Sequence, residues 1–261
     1  MDLIVIAVVA CMVSTTTFYS GFGLGTVLMP VFALFLPVET AVAATAVVHL
    51  ANNLFKVGAT GRRLDRELVW RFGVPAVAAA LVGATVLGLM TGLGEMVRYD
   101  LAGREAVITP IKLIMAALMV VFALLELLPG LRERRFDRRY LFLGGLLSGF
   151  FGGLSGHQGA LRSAFLVKTG ISTEVFVGTN AWIGLLVDAS RLLVYGEVFG
   201  VGTTAIIDVD VIPLMLAGVI GAFAGVLVGK KYLYKVTMVT VRKGTGVLLL
   251  MIALGLASGA I

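Results

Sequence analysis

Charged residues and cysteine are scarce in this chain. Lys, Arg, Asp and Glu make up 14% of its 261 residues, whereas about 25% is usual for a soluble domain. The single cysteine, Cys11, excludes an intrachain disulfide and a cysteine metal cluster, and two histidines leave little for any other transition-metal site. Hydrophobic residues make up 59% of the chain, and the mean hydropathy is +1.03. The composition is that of a polytopic protein of the lipid bilayer.

Nucleic-acid binding and nucleotide-driven chemistry are also not expected. The net charge is +6, but the basic residues concentrate in short connections between apolar segments rather than in one surface patch. No G-x-x-x-x-G-K-[ST] motif is present, so ATP is not the direct source of energy. We therefore expect no enzymatic activity and no cofactor.

Glycine-rich breaks interrupt two of the apolar stretches. Leu3 to Val38 contain no charge and would form a helix of about 54 Å, longer than the roughly 30 Å hydrocarbon core. The stretch must therefore fold back or break, and residues 20–25 are rich in Gly. A second Gly-rich break covers residues 152–159. Paired breaks in the two halves of a membrane protein indicate a transporter's binding site.

The charges of the connections predict the topology. Connections 56–71, 129–139 and 230–243 are basic and are predicted to be cytoplasmic, whereas 92–105 and 195–210 are acidic and external. The apolar segments are 3–19, 23–36, 40–57, 69–91, 107–128, 140–154, 157–169, 173–194, 207–229 and 240–260.

This pattern predicts an all-α membrane protein of two inverted-topology repeats with about 8–10 membrane helices. The repeats are residues 1–128 and 140–261, joined by a basic cytoplasmic linker, 129–139. Each half crosses an odd number of times, either five times or three times with a re-entrant hairpin made by its first two short segments. A shift of 134 residues places Gly25 on Gly159 and Thr45 on Thr179.

The candidate substrate site lies around the two breaks. A half-helix that begins after a break points its N–H groups and positive dipole end at a cavity, which suits a small anion. Arg162 follows the second break, and its planar fork of donors suits an oxyanion, although an interfacial position or a structural ion pair would also accommodate it. The predicted substrate-binding residues are Arg162, Gly25, Gly159, Thr45, Thr179, Asn180, His49, Asn52, Gln158 and His157.

Two further sets of polar residues allow more than one interpretation. Asp188 and Arg191 share one helical face and form either a local ion pair near the outer end or a coupling and gating pair. Segment 40–57 carries a polar face that consists of Thr45, His49, Asn52, Asn53 and Lys56. Positions 45, 49, 52 and 56 follow helical spacing, and this stripe faces either a cavity or a neighbouring helix. The ends of segment 107–128 carry Lys112 and Glu126, for which snorkelling to the interface is the default.

One motif suggests a hydrolase. Residues 153–156 match the G-x-S-G nucleophile motif of rhomboid intramembrane proteases, which needs a histidine base positioned on Ser155. His49 is distant in sequence, and His157 is too close along the chain for that role. A passive anion channel is the other alternative to a transporter.

The chain resembles the sulfite exporter TauE/SafE family over nearly its whole length. The resemblance is carried mainly by the residues around both breaks. The matching stretches are 21–30, 152–162, 178–180 and 188–195, and the chain departs from the family pattern at His157, Gln158 and Ala164, where Gly-Gly and Pro are frequent. The resemblance implies a secondary transporter that exports small sulfur-containing or organic anions such as sulfite and sulfonates. Coupling to protons and a homodimer are left open.

We predict a multi-pass protein of the inner (plasma) membrane with both termini outside, because three basic connections alternate with two acidic ones. After replacement of Cys11, cysteines introduced at the termini should react with impermeant thiol reagents in intact cells. A cysteine in the linker, Arg138→Cys, is the control and should react only after lysis. Termini that are labelled only after lysis would contradict the inverted arrangement.

Overall fold

The computed structural model describes residues 1–18, 23–60, 63–101, 103–132, 136–198, 211–232 and 238–261. Tyr19 to Phe22 of the first Gly-rich break, most of connection 195–210 and part of 129–139 and 230–243 lie outside the described residues. Within these ranges the chain is almost wholly helical, as predicted. The ten principal helices are α1 Asp2–Thr17, α2 Leu24–Phe32, α3 Val38–Thr60, α4 Arg66–Thr91, α5 Pro110–Leu127, α6 Leu141–Ser155, α7 Gly159–Leu166, α8 Thr173–Val198, α9 Val211–Tyr232 and α10 Met238–Ala257.

Short elements connect these helices. A β-hairpin, β1 Val97–Leu101 and β2 Arg104–Ile108, joins α4 to α5, with Val97 opposite Ile108. Single turns of helix are formed by Pro129–Arg132, Arg138–Tyr140 and Val167–Thr169.

Local sequence signals set several helix boundaries. The Asp65 carboxylate accepts a hydrogen bond from the backbone N–H of Leu68, which caps the start of α4. Thr109 caps α5 in the same way and is followed by Pro110, whose missing N–H costs nothing in the first turn. Within α4, Val69 to Gly73 form a π turn just before Pro75. This turn accommodates the proline, which cannot donate to the helical ladder.

Three helices among the described residues are long and apolar enough to cross a membrane: Arg66–Thr91, Pro110–Leu127 and Val211–Lys231. The chain is therefore an all-α membrane protein. α3 and α8 are comparably long but carry buried polar side chains, including His49, Asn53, Asp188 and Arg191. These two helices pack against each other, while large apolar side chains on the other helices, such as Leu89 and Leu254, remain exposed on the outer surface.

In both halves of the chain the second helix is the shortest, and the third and fourth helices are the longest. α2 and α7, the second helix of each half, have nine and eight residues, which rise about 14 and 12 Å. Neither spans a roughly 30 Å core. Packing is reciprocal as well, because α1 packs along α9 and α6 along α4, while α3 packs on α8 and α5 on α10. α5 ends at Leu127 and α6 begins at Leu141, on either side of the predicted linker.

Glycines bring the paired helices into backbone contact. A Cβ at Gly149 of α6 would overlap the backbone of Ala76 in α4. On the opposite pair, a Cβ at Gly221 or Gly225 of α9 would overlap the carbonyls of Ala7 or Cys11 in α1. Gly221 and Gly225 therefore form a packing surface, as is usual for small residues in membrane helices.

The hairpin was not predicted from the sequence, which indicated only an acidic connection. Tyr99 donates a hydrogen bond from its hydroxyl to the Ser258 carbonyl at 2.5 Å, and the Val107 N–H donates to the Gly259 carbonyl at 3.3 Å. Connection 92–105 and the C-terminus therefore lie at the same end of the molecule. At this end Arg98 donates to Glu95, and that hydrogen bond lowers the pKa of the Glu95 carboxyl.

The close approach of α4 and α6 predicts a stability effect. Gly149→Ala places a methyl group on the Ala76 backbone and should cost ~1–3 kcal/mol through overpacking. Gly58→Ala is the matched control, because a Cβ at this exposed helical position meets no atom within 4 Å. In detergent the melting temperature should fall by several degrees for Gly149→Ala and not for Gly58→Ala. Equal melting temperatures for the two variants would contradict the backbone contact between α4 and α6.

Candidate functional site

The two Gly-rich breaks meet inside the protein. α6 ends at Gly156, which adopts the left-handed conformation with φ of +80°, and α7 begins three residues later at Gly159. α2 begins after Gly23, whose φ is +121°. A Cβ on Gly25 would lie 3.1 Å from the Gly156 carbonyl oxygen and 3.7 Å from Cδ2 of His49. Gly25 of the first break and Gly156 of the second are therefore in close contact, and His49 lies beside them.

The carboxylate of Asp188 is the centre of the polar cluster next to the breaks. Its Oδ2 accepts hydrogen bonds from Nδ1 of His49 at 2.6 Å and from Nδ2 of Asn53 at 3.0 Å. Its Oδ1 accepts from Nε2 of Gln158 at 2.8 Å and from Arg191 at 2.8 and 3.1 Å. Because a carboxylate only accepts, Nδ1 of His49 carries the proton. The cluster joins α3, α8 and the start of α7.

Arg191 also holds the end of α6. Its NH1 group donates to the Gly152 carbonyl at 2.9 Å, and the Tyr195 hydroxyl donates to the Gly153 carbonyl. The Gly152 carbonyl also accepts from the Gly156 N–H at 3.0 Å, so Arg191 is its second donor. The positive charge of Arg191 at this helix end also interacts favourably with the negative end of the helix dipole. The ion pair with Asp188 is the local pair that the i, i+3 spacing indicates. It is wholly buried, rather than placed near the outer end of the helix.

Arg162 is buried in α7, with 1% of its surface exposed. Its NH1 group donates to Oε1 of Gln158 at 2.9 Å, and its Nε donates to Oδ1 of Asn180. Gln158 therefore accepts from Arg162 while it donates to Asp188. Among the residues that the structure describes, Arg162 forms no ion pair, and both of its hydrogen-bond partners are neutral amides.

The buried charges of this region do not cancel. Arg162, Arg191 and Asp188 are each at most 1% exposed, so two guanidinium groups face one carboxylate across the described part of the site. A buried charge without a counter-charge is unfavourable by several kcal/mol. A bound anion would supply the missing negative charge.

The two predicted threonines lie in α3 and α8, but their hydroxyls form hydrogen bonds outside the Asp188 cluster. The Thr45 hydroxyl donates to the Ala41 carbonyl one turn earlier at 2.7 Å. The Thr179 hydroxyl accepts from the backbone N–H of Asp65 at 2.9 Å, which ties α8 to the start of α4. Their role as substrate ligands stays a prediction, and each hydroxyl has a structural partner.

The polar face of α3 contacts two different neighbours. Asn52 faces α1, where its Oδ1 accepts from the Ser14 hydroxyl at 3.2 Å and its Nδ2 has no hydrogen-bond partner among the described residues. Asn53 belongs to the predicted polar face but not to the predicted substrate-binding residues, and it is the asparagine that bonds Asp188. The spacing of four residues from His49 to Asn53 was a usable signal, since i and i+4 share a helical face.

His157 faces α5 rather than the Asp188 cluster. Its ring stacks on Phe122 with 4.9 Å between centroids, and its Nδ1 donates to the Ser155 carbonyl at 3.0 Å. The Ser155 hydroxyl donates to the Phe151 carbonyl at 3.0 Å. Nδ1 also lies 3.1 Å from the Ser155 hydroxyl oxygen. Because the Ser155 carbonyl only accepts, its contact with Nδ1 favours the tautomer in which Nδ1 carries the proton, and in that tautomer Nδ1 does not take a proton from the serine.

Glu126 is buried inside the protein, whereas the sequence analysis expected it to snorkel to the interface. It is 2% exposed near the end of α5, and its carboxylate lies 3.8 Å from Nε of Arg242 in α10. Lys112, at the other end of α5, is partly buried and donates to the Val107 carbonyl at 2.9 Å. Both groups lie outside the Asp188 cluster.

The fold and the polar cluster together define a class of protein. It is an α-helical membrane protein in which two helix breaks and the long helices α3 and α8 surround a buried cluster with an excess of positive charge. The model of the sulfite exporter TauE/SafE family matches residues 3–256. The chain therefore belongs to the TauE/SafE sulfite exporter family, a family of membrane transport proteins. No curated protein matches the chain.

Proposed function

We propose that this protein is a secondary transporter that exports small sulfur-containing oxyanions, of the sulfite or sulfonate type, through a site centred on Arg162. The observation that carries the proposal is the buried excess of positive charge. The hydrogen bonds of Arg162 go to the neutral amides of Gln158 and Asn180, which leave its charge unbalanced. An oxyanion in contact with Arg162 would bind the planar fork and balance that charge.

The surroundings of Arg162 favour an anion for a second reason. Arg162 lies in the first turn of α7, close to the N–H groups that start the helix at Gly159. Gly25, near the start of α2, corresponds to Gly159 under the shift of 134 residues. Its lack of a side chain lets α2 approach the Gly156 carbonyl. We propose that the free N–H groups of both short helices contribute hydrogen bonds to the anion.

We further propose that residues 1–128 and 140–261 are inverted repeats joined by linker 129–139. The reciprocal packing of the helices and the short α2 and α7 support the version with three crossings and one re-entrant hairpin in each half. The loop charges support a location in the inner membrane with both termini outside. Alternating access would then move one repeat against the other around a fixed midplane site.

The binding role of Arg162 predicts a graded loss of affinity. Arg162→Lys keeps the charge but loses the fork, and Arg162→Ala loses both, so the Ala variant should bind sulfite ~10- to 100-fold more weakly and the Lys variant should lie between. Binding and counterflow of radiolabelled sulfite in proteoliposomes measure this. Arg71→Ala is the control, since Arg71 is exposed and paired with Glu67. Wild-type affinity in Arg162→Ala would refute the assignment.

Proton coupling is proposed for the hydrogen-bonded pair of Asp188 and His49. Buried ionisable groups in membrane helices are the usual proton carriers, and this pair touches Gln158, which in turn contacts Arg162. Asp188→Asn and His49→Gln should lose pH-gradient-driven sulfite flux and retain exchange of labelled for unlabelled sulfite. Unchanged gradient dependence in both variants would leave Asp188 as the partner of Arg191 alone. A passive channel would show flux that no pH gradient drives in any variant.

A further inference from the structure

A small cavity lies beside the charged cluster, between the last turns of α3 and the first turns of α8. Its volume is about 10 Å³, which is the space of one water molecule. Three of its lining residues are polar, and all of these are buried. The cavity is lined by Phe18, Asn53, Lys56, Val177, Asn180 and Ala181.

Two asparagines stand between this cavity and the charged cluster. Asn53 lines the cavity and donates to Asp188 at 3.0 Å, while Asn180 lines it and accepts from Nε of Arg162. Only the side-chain amide of Asn180 would therefore separate a small anion in the cavity from Arg162. Movement of these two side chains would open a continuous polar route from the cavity to the cluster.

Lys56 supplies the positive charge of the cavity. It is 6% exposed, and its Nζ lies 5.8 Å from the centroid of the Phe18 ring. Lys56 and Arg162 repel each other electrostatically, so the cavity and the cluster share a region of positive potential. Lys56 also begins connection 56–71, one of the three basic connections.

We propose that this cavity is an access site for the transported oxyanion on the side of connection 56–71. Lys56 binds the anion there, before it passes Asn53 and Asn180 to reach Arg162. The inference rests on the proposed transport function and adds a second anion position to it. At about 10 Å³ the cavity is closed to sulfite, so binding requires displacement of the Lys56 or asparagine side chains.

The test measures sulfite flux separately from each face, in inside-out and right-side-out membrane vesicles. Lys56→Gln should raise the half-saturating sulfite concentration about tenfold at the face that carries connection 56–71 and leave it unchanged at the opposite face. Lys56→Arg should restore most of the affinity. Lys230→Gln, at an exposed position near the end of α9, is the control and should match the wild type. An equal change at both faces, or no change at either, would overturn the access site.

A second pair of variants tests the cavity without removing the lysine. Val177→Asp adds a negative charge to the lining and should inhibit flux from the face of connection 56–71, whereas the isosteric Val177→Asn should have a smaller effect. Equal flux in the Asp and Asn variants would contradict an anion in the cavity. If instead Arg162→Ala leaves sulfite transport intact at both faces, the central site itself is wrong, which distinguishes that failure from a failure of the access site.

Discussion

The buried carboxylate of Asp188 is the group on which the arrangement of the broken helices depends. It accepts from His49 and Asn53 of α3, from Gln158 at the start of α7 and from Arg191 of its own helix. A buried carboxylate is tolerated only where it is paired and its lone pairs are occupied. The four donors satisfy that requirement. One of them, Gln158, also ties the start of α7 to α8, in addition to the apolar contacts that Phe165 makes with Phe136.

Side chains in and beside the same cluster also donate hydrogen bonds to the backbone at the break between α6 and α7. Where α6 stops at Gly156, its final carbonyls would be unpaired, and at membrane depth each such group is unfavourable by several kcal/mol. The Gly152 carbonyl accepts from the Gly156 N–H and also from Arg191, and Tyr195 donates to the Gly153 carbonyl, so these two groups avoid that penalty. The same break leaves the first N–H groups of α7 without helical partners, and these are the groups proposed to bind the anion.

Much of the fold was accessible from the sequence, because helices in lipid must be long, apolar and internally hydrogen-bonded. The apolar segments matched the ten helices, and the Gly-rich stretch 152–159 marked the break between α6 and α7. The residues within the site were less accessible. Asn52 and Asn53 are chemically identical neighbours, and only the rotation of α3 against α8 decides that Asn53 reaches Asp188 while Asn52 faces Ser14. Hydropathy does not report that rotation, and it also missed the hairpin at Val97 to Ile108, whose alternation is short.

The distribution of polarity among the helices explains how a charged site can exist in so apolar a chain. α3 and α8 hold the polar side chains and pack on each other at the centre, and α4 and α9 flank this pair. The flanking helices are in turn held to α6 and α1 by glycines whose neighbours are backbone atoms. Such interfaces depend on close contact rather than on interlocked large side chains. Close backbone contact of this kind leaves the polar side chains to the central pair of helices, where the proposed anion would have to displace the amides of Asn53 and Asn180 to reach Arg162.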